Sequence, residues 1–307
     1  MHQNLFEELQ KIAETEFGIK IKPTNRRNFS FETLFGSYIE REKIMSFKDP
    51  IGDRMKENYE NRAKTYLTRR TPVIIRLDGK AFHTFTRGFR KPYDEVFHAS
   101  MNDTMKYLCE NIQGCKFGYT QSDEITLLLT DYDTLTTDAW FGYSVQKLCS
   151  VSASMATLEF NRQLRHHIMV LTKNDGINEE RKEDLDYAVA LGRALTAGAL
   201  FDSRCFNIPK EEVTNCFIWR QQDATRNAVQ MLGQCHFSSN DLDGKNQSEV
   251  REMLARNGII FDEMPAAFKR GVCCVKADDG GWVIDTEIPV FTLNREYVTK
   301  WINPDEE

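Results

Sequence analysis

From Pro72 onward the chain switches repeatedly between two hydrophobic patterns. Val73-Ile74-Ile75-Arg76-Leu77 is a β-branched run bounded by Pro72 and Asp78-Gly79, which predicts a buried strand. Asp94 to Ile112 carries Val96, Phe97, Met101, Met105 and Leu108 at helical spacing, with Gly114 as a stop signal. Cys115 to Tyr119 and Ile125 to Leu129 read as short strands joined by the polar turn Thr120-Gln121-Ser122-Asp123-Glu124. Ser144 to Leu164 predicts a helix with Leu148, Val151, Met155 and Leu158 on one stripe, and Ala188, Leu191, Ala194 and Leu195 mark a second. Phe201 to Ile208, stopped by Pro209, completes the order βαββα(α)β, that of an α+β fold with a ferredoxin-like antiparallel sheet and helices packed on it.

Residues 1–70 follow a different pattern. Phe6, Leu9, Ile12 and Ala13 fall at helical spacing, Lys22 to Asn28 forms a basic turn-like linker, and Phe31 to Ile44 is a second helical run. Arg54 to Leu67 predicts a solvated helix that Pro72 ends. The expected organisation is a helical N-terminal extension over 1–50, a sheet-containing domain over 51–235 and a region of unassigned function over 236–307.

Composition narrows the class. With 307 residues and 41% hydrophobic side chains, the chain can bury a sizeable core, which excludes a disordered or fibrous protein. The formal charge of −6 does not point to a nucleic-acid partner, but residues 1–70 hold 14 Lys+Arg against 11 Asp+Glu, so the front is mildly basic. Eight cysteines without a CxxC pair, and a start lacking a basic and then apolar leader pattern, predict a reduced, cytoplasmic protein. Arg193 and Thr196 interrupt the longest apolar stretch, so no membrane span is expected. Cys235-His236 and Cys273-Cys274 are vicinal pairs without zinc-ligand spacing.

The topology gives the polar residues a meaning. In a split βαβ sheet the first and third strands are central antiparallel neighbours, so the end of one lies beside the start of the other. Asp78 and the Asp123-Glu124 pair, 45 residues apart in sequence, are thereby predicted to meet at one sheet edge. Carboxylates brought together resist ionising unless a cation sits between them, and oxygen donors without a nearby His-Cys set favour magnesium. Two such ions would clamp the oxygens of a phosphoryl displacement. The Asp78-Gly79 turn also suggests a nest of backbone N–H groups for phosphate. Lys91 and Lys147 are candidate phosphate cations, and Arg69, Arg70, Arg87, Arg90, Arg162, Arg165, His166 and His167 are candidate contacts to a nucleic-acid backbone. Phe217 to Asn227 reads as a helix that sets Trp219, Asp223, Arg226 and Asn227 on neighbouring faces, either as a functional cluster or as a surface helix with one buried tryptophan.

Read in order, Arg-Leu-Asp-Gly-Lys-Ala-Phe-His (76–83), Lys91-Pro92, Tyr-Thr-Gln-Ser-Asp-Glu (119–124), Lys147, Phe-Asp-Ser-Arg (201–204) and Trp-Arg-Gln-Gln-Asp (219–223) resemble the tRNA-His guanylyltransferase family over about residues 50–235. The resemblance implies a polymerase-palm-like catalytic domain that adds nucleotides to the 5′ end of tRNA in the 3′-to-5′ direction. It implies that Asp78, Asp123 and the Gly79 carbonyl hold two magnesium ions, with Glu124 supporting catalysis. Asp78, Gly79, Lys80, Ala81, Phe82, His83, Lys91, Ser122, Asp123, Lys147 and Asn227 would bind nucleotide, with ATP and GTP or other triphosphates as substrates, tRNA as partner and a homotetramer as the assembly. Guanylyltransferases proper carry His-Ile-Asn-Asn-Leu-Tyr-Asn after the Trp-Arg-Gln motif. Here Thr225-Arg226-Asn227-Ala228-Val229-Gln230-Met231 keeps only the first Asn, which resembles the family's members that repair truncated tRNA by templated addition. Single-G addition to tRNA-His and a non-catalytic tRNA-binding role are the alternatives.

Overall fold

The computed structural model describes residues 49–174, 176–178 and 180–302. The helices expected around Phe6 to Ala13 and Phe31 to Ile44, and the linker between them, lie outside the described residues. The chain divides into two units, residues 1–62 and 63–307. In the first, helix α1 (Pro50–Met55) starts at Asp49, whose Oδ1 accepts the Ile51 N–H at 3.2 Å. A π-helical turn (Lys56–Glu60) and a 3-10 turn (Asn61–Ala63) follow in place of the single helix expected over 54–67. None of these turns buries a residue, so no apolar face holds the segment in one continuous helix.

The second unit is built on a six-stranded antiparallel sheet of β1 (Val73–Gly79), β2 (Cys115–Gln121), β3 (Glu124–Leu129), β4 (Phe201–Asn207), β5 (Val272–Lys276) and β6 (Trp282–Asp285). Its order is β4-β1-β3-β2-β5-β6. The first four strands stand in the order the βαββα(α)β pattern predicts, with β1 antiparallel to β3. The last two were not foreseen: residues beyond 235 extend the same sheet from the edge of β2.

Helices cover both faces. A short helix α2 (Phe82–Phe85) follows β1, and α3 (Glu95–Asn111) begins at Asp94, whose Oδ1 accepts the Phe97 N–H at 2.9 Å. With α4 (Val145–Lys173), α3 covers the face bearing Val73, Ile75, Leu77, Ile125, Leu127 and Leu129. The expected α4 stripe is rotated. Leu148, Ser152, Ala156, Phe160 and Leu164 are buried while Leu158 points outward, because small Ser152 and Ala156 let the helix approach β4, where the Ser152 and Ser203 hydroxyls lie 2.8 Å apart. Helix α5 (Lys182–Ala197) buries Tyr187, Ala190, Leu191 and Ala194.

The other face carries Ile74, Phe117, Tyr119 and Leu128 against Val213, Phe217 and Ile218 of the long helix α6 (Lys210–His236). Burying each such side chain contributes about 1.5–3 kcal/mol. Beyond α6, helices α7 (Ser239–Leu242), α8 (Gln247–Arg256) and α9 (Ala266–Arg270) lead back to β5, and Val250, Leu254 and Phe261 pack on Ala228, Val229 and Leu232 at the end of α6. Helix α10 (Glu296–Thr299) closes the described chain. No helix among the described residues is long and apolar enough to cross a membrane.

Candidate active site

The strand register arranges the α6 face of the sheet in rungs of graded polarity, because directly paired residues share a face. Phe206, Ile74, Leu128 and Phe117 form an apolar rung. Arg204, Arg76, Thr126 and Tyr119 come next, and Asp202, Asp78, Glu124 and Gln121 form the last. The predicted meeting of Asp78 with Asp123-Glu124 is thus a direct pairing of Asp78 with Glu124. Only Ser122 and Asp123 lie between β2 and β3, and Ser122 takes a left-handed φ of +49° to make that tight turn.

Asp123 is tied to β1 by its carbonyl, which accepts the Gly79 N–H at 3.1 Å, and to Ser122 by a 3.0 Å hydrogen bond onto Oδ1. Burial pushes its carboxyl above the ordinary aspartate range, and the charge of Asp78 adds to that shift. The Ser122 and backbone hydrogen bonds act against it. A cation between Asp78 and Asp123 would relieve this penalty. Among the described residues no cluster of three or more His, Cys, Asp and Glu side chains could hold a metal, so a cation here would rest on the two aspartates and backbone oxygen such as the Gly79 carbonyl. That all-oxygen set suits magnesium. Asp78 also faces Arg204 Nη2 at 3.7 Å, and Arg204 lies 3.2 Å from Asp202.

Glu124, the cross-strand partner of Asp78, is held by arginines. It receives Arg220 Nε at 2.6 Å and Nη2 at 2.8 Å, and Arg76 Nε stands 3.8 Å away. Burial raises its carboxyl pKa against the opposing pull of Arg220 and Arg76. Arg220 bridges in turn to Asp223 at 3.1 Å, and Asp223 to Arg226 at 2.9 Å. Sequence reasoning missed Arg220 as Glu124's partner, since the two lie 96 residues apart.

Beside Asp123 lies a cavity of about 330 Å³ between α3, the β2–β3 turn, α6 and α9. Of the predicted nucleotide-binding residues, Phe82, His83, Lys91, Ser122, Asp123 and Asn227 line it together. Asp78, Gly79, Lys80 and Ala81 belong to the adjoining strand end and turn, outside the lining, as do Glu124 and Lys147. Lys147, on the first turn of α4, places its ammonium 5.5 Å from the Phe141 ring centroid.

The proposed nest is partly closed. The Gly79 N–H donates to Asp123 and the Lys80 N–H to the Leu200 carbonyl at 2.8 Å, so neither is available to phosphate. Several candidate backbone cations are also engaged within the fold: Arg69 with buried Asp131 at 2.6 Å, Arg90 with Asp184 at 3.1 Å, and His167 with Asp103 at 2.7 Å. The cavity adds residues the sequence had not flagged. Asp94 fixes both the Phe97 and Arg90 N–H groups, and His98 stacks on Tyr93 at 3.9 Å with its pKa lowered by burial to about 4.

Residues 52–209 match the family model described as tRNAHis guanylyltransferase (Thg1). The chain is similar to a bacterial tRNA(His) guanylyltransferase (Thg1)-like protein solved in complex with ATP, with 39% identity and a TM-score of 0.70 over 82% of this chain and 99% of that one. The likeness to such a protein solved with GTP is 37% identity and a TM-score of 0.66 over 83% and 99%. A tRNA(His) guanylyltransferase of Debaryomyces hansenii is 27% identical over 70% of this chain and 77% of its own length.

Proposed function

Because this chain belongs to the tRNA(His) guanylyltransferase family, whose members are nucleotidyltransferases, we propose that it extends the 5′ end of tRNA in the 3′-to-5′ direction under the guidance of the opposite strand. The observation that carries this reading is the cavity that gathers His83, Lys91, Ser122, Asp123 and Asn227 beside Asp78. The ATP and GTP found in bacterial relatives support triphosphates as its ligands.

In this reading ATP first adenylylates the tRNA 5′-monophosphate with release of pyrophosphate. The 3′-hydroxyl of an incoming nucleotide then forms a bond to that phosphorus, and AMP departs. Asp78, Asp123 and the Gly79 carbonyl would hold magnesium, which when bound offsets charge on the reacting phosphates. Lys91 supplies positive charge at the cavity and Lys147 from the start of α4, while Ser122 and Asn227 offer hydrogen bonds and the buried Phe82 side chain gives the turn after β1 a fixed seat. Glu124 supports the site from behind through Arg220. The family resemblance adds a homotetramer to the proposal, which light scattering tests.

The deciding assay offers a tRNA lacking its first 5′ nucleotide, and intact tRNA-His, with each nucleoside triphosphate alone and with all four. Rebuilding of the truncated tRNA with the complementary base is expected, as the loss of the His-Ile-Asn-Asn-Leu-Tyr-Asn run favours repair. Preference for one G on tRNA-His would replace templated repair with single addition. Asp78→Ala and Asp123→Ala should each abolish incorporation while tRNA still binds; turnover retained in either variant would remove that aspartate from the metal set.

A further inference from the structure

The run Trp219 to Asp223 contains inward and outward members. Arg220 clamps Glu124 and Asp223. Gln221 donates from Nε2 to the Pro289 carbonyl at 2.9 Å and accepts the Phe291 N–H at 2.8 Å. Trp219 is 49% exposed, which excludes the reading of this helix as a surface helix with one buried tryptophan. Its ring has two guanidinium neighbours, Arg220 at 4.5 Å and Arg76 at 5.7 Å from the centroid. Glu124 engages both arginines, so the support under the indole is fixed. Arg76 sits one rung below Asp78 on the same sheet face, while Trp219 lies outside the nucleotide cavity.

Resting on the functional reading above, we propose that Trp219 is a stacking platform for a nucleobase at the RNA end being extended. An aromatic face accepts any base, which suits an enzyme whose base choice comes from pairing with an opposite strand. A ring held by the Arg220 and Arg76 guanidinium groups loses little freedom when a base lands on it. The charges here do not compete with stacking as the source of affinity: the four arginines Arg76, Arg204, Arg220 and Arg226 are balanced by the four acids Asp78, Asp202, Glu124 and Asp223. The cavity reaches Asp78 through Asp123, and Trp219 reaches it through Arg76. A nucleotide and an RNA end seated at these two places would converge on Asp78, as a displacement between them requires.

The test uses a 5′-monophosphorylated tRNA lacking its first nucleotide and carrying 2-aminopurine at its 5′ terminus, with the wild-type protein, Trp219→Phe and Trp219→Ala. We expect the wild type and Trp219→Phe to quench the 2-aminopurine, and Trp219→Ala to lose the quench. In Trp219→Ala the RNA Kd should rise about 5- to 150-fold, the loss of one base–aromatic stack, and in Trp219→Phe less than about threefold. ATP binding and the salt dependence of RNA binding should stay unchanged. An unaltered RNA Kd in Trp219→Ala, or a Phe variant as weak as the Ala variant, overturns the platform. Quenching by a wild-type protein that extends no RNA overturns the functional reading and leaves the platform standing, whereas absence of RNA binding by the wild type overturns both.

Discussion

Replacing Arg220 with Met keeps much of the side-chain volume and removes the charge that Glu124 and Asp223 share. The two side chains are only 7% and 9% exposed, so solvent screens their interaction little, and the bonds of 2.6 and 2.8 Å are charge-assisted and bidentate. Removing Arg220 from such a buried pair leaves Glu124 only the more distant Arg76 at 3.8 Å, at a cost of about 3–5 kcal/mol. For a unit of this size each kcal/mol moves Tm by about 2–4 °C, so Arg220→Met should melt about 6–20 °C below the wild type. Glu124→Leu in the same background removes the stranded carboxylate and should recover at least half of the deficit, because the two changes share one interaction. Urea denaturation of the wild type, both single variants and the double variant at neutral pH measures the coupling. An Arg220→Met variant within about 1 kcal/mol of the wild type, or a double variant whose loss equals the sum of the single losses, would refute the claim that Arg220 neutralises Glu124.

Two further outcomes follow from the cavity walls. His98 is held at a pKa of about 4, below its ordinary 6.5, so the unfolded chain takes a proton that the folded state refuses. Stability should therefore be full above pH 6.5 and fall as pH drops from there toward 4, by at most about 3 kcal/mol, and His98→Phe should flatten that acid limb in denaturation series; equal slopes would disprove it. Gly271 has a φ of +82°, and a Cβ there would come within 2.6 Å of the Thr120 carbonyl oxygen. Gly271→Ala should cost about 2–5 kcal/mol in calorimetry through backbone strain and overpacking together, and a neutral result would contradict the close approach of β5 to β2.

The parts of the fold that local pattern can encode were legible. The order of strands and helices from Val73 to Asn207 was enough to pair β1 with β3, and that pairing alone brought Asp78 to the β2–β3 turn. Strands β5 and β6 escaped because they are only five and four residues long, and Val-Cys-Cys-Val-Lys shows no clear alternation. Helical spacing alone left open whether Trp219 faces in or out, and tertiary packing decides it: the inward-facing neighbours on α6 are Ile218, Arg220 and Gln221. Their place in the turn does not by itself separate the adjacent acids Asp123 and Glu124, to which the family resemblance gives different roles. What separates them is a cation contributed from α6, which no local pattern announces. The nest is partly closed for a similar reason: the N–H groups of Gly79 and Lys80 answer to Asp123 and Leu200, whose approach is a tertiary matter.

The register of β1 against β3 also acts as a parity rule. Odd and even positions of β1 divide the labour, with Val73, Ile75 and Leu77 packing under α3 and α4, and Ile74, Arg76 and Asp78 facing α6. Inserting or deleting one residue within β1 would turn Asp78 to the apolar side and a leucine to the α6 face in a single event. Drift in strand length is thereby filtered by the core itself: a lineage that misplaces its acid also loses its packing, and fails to fold before it can misreact.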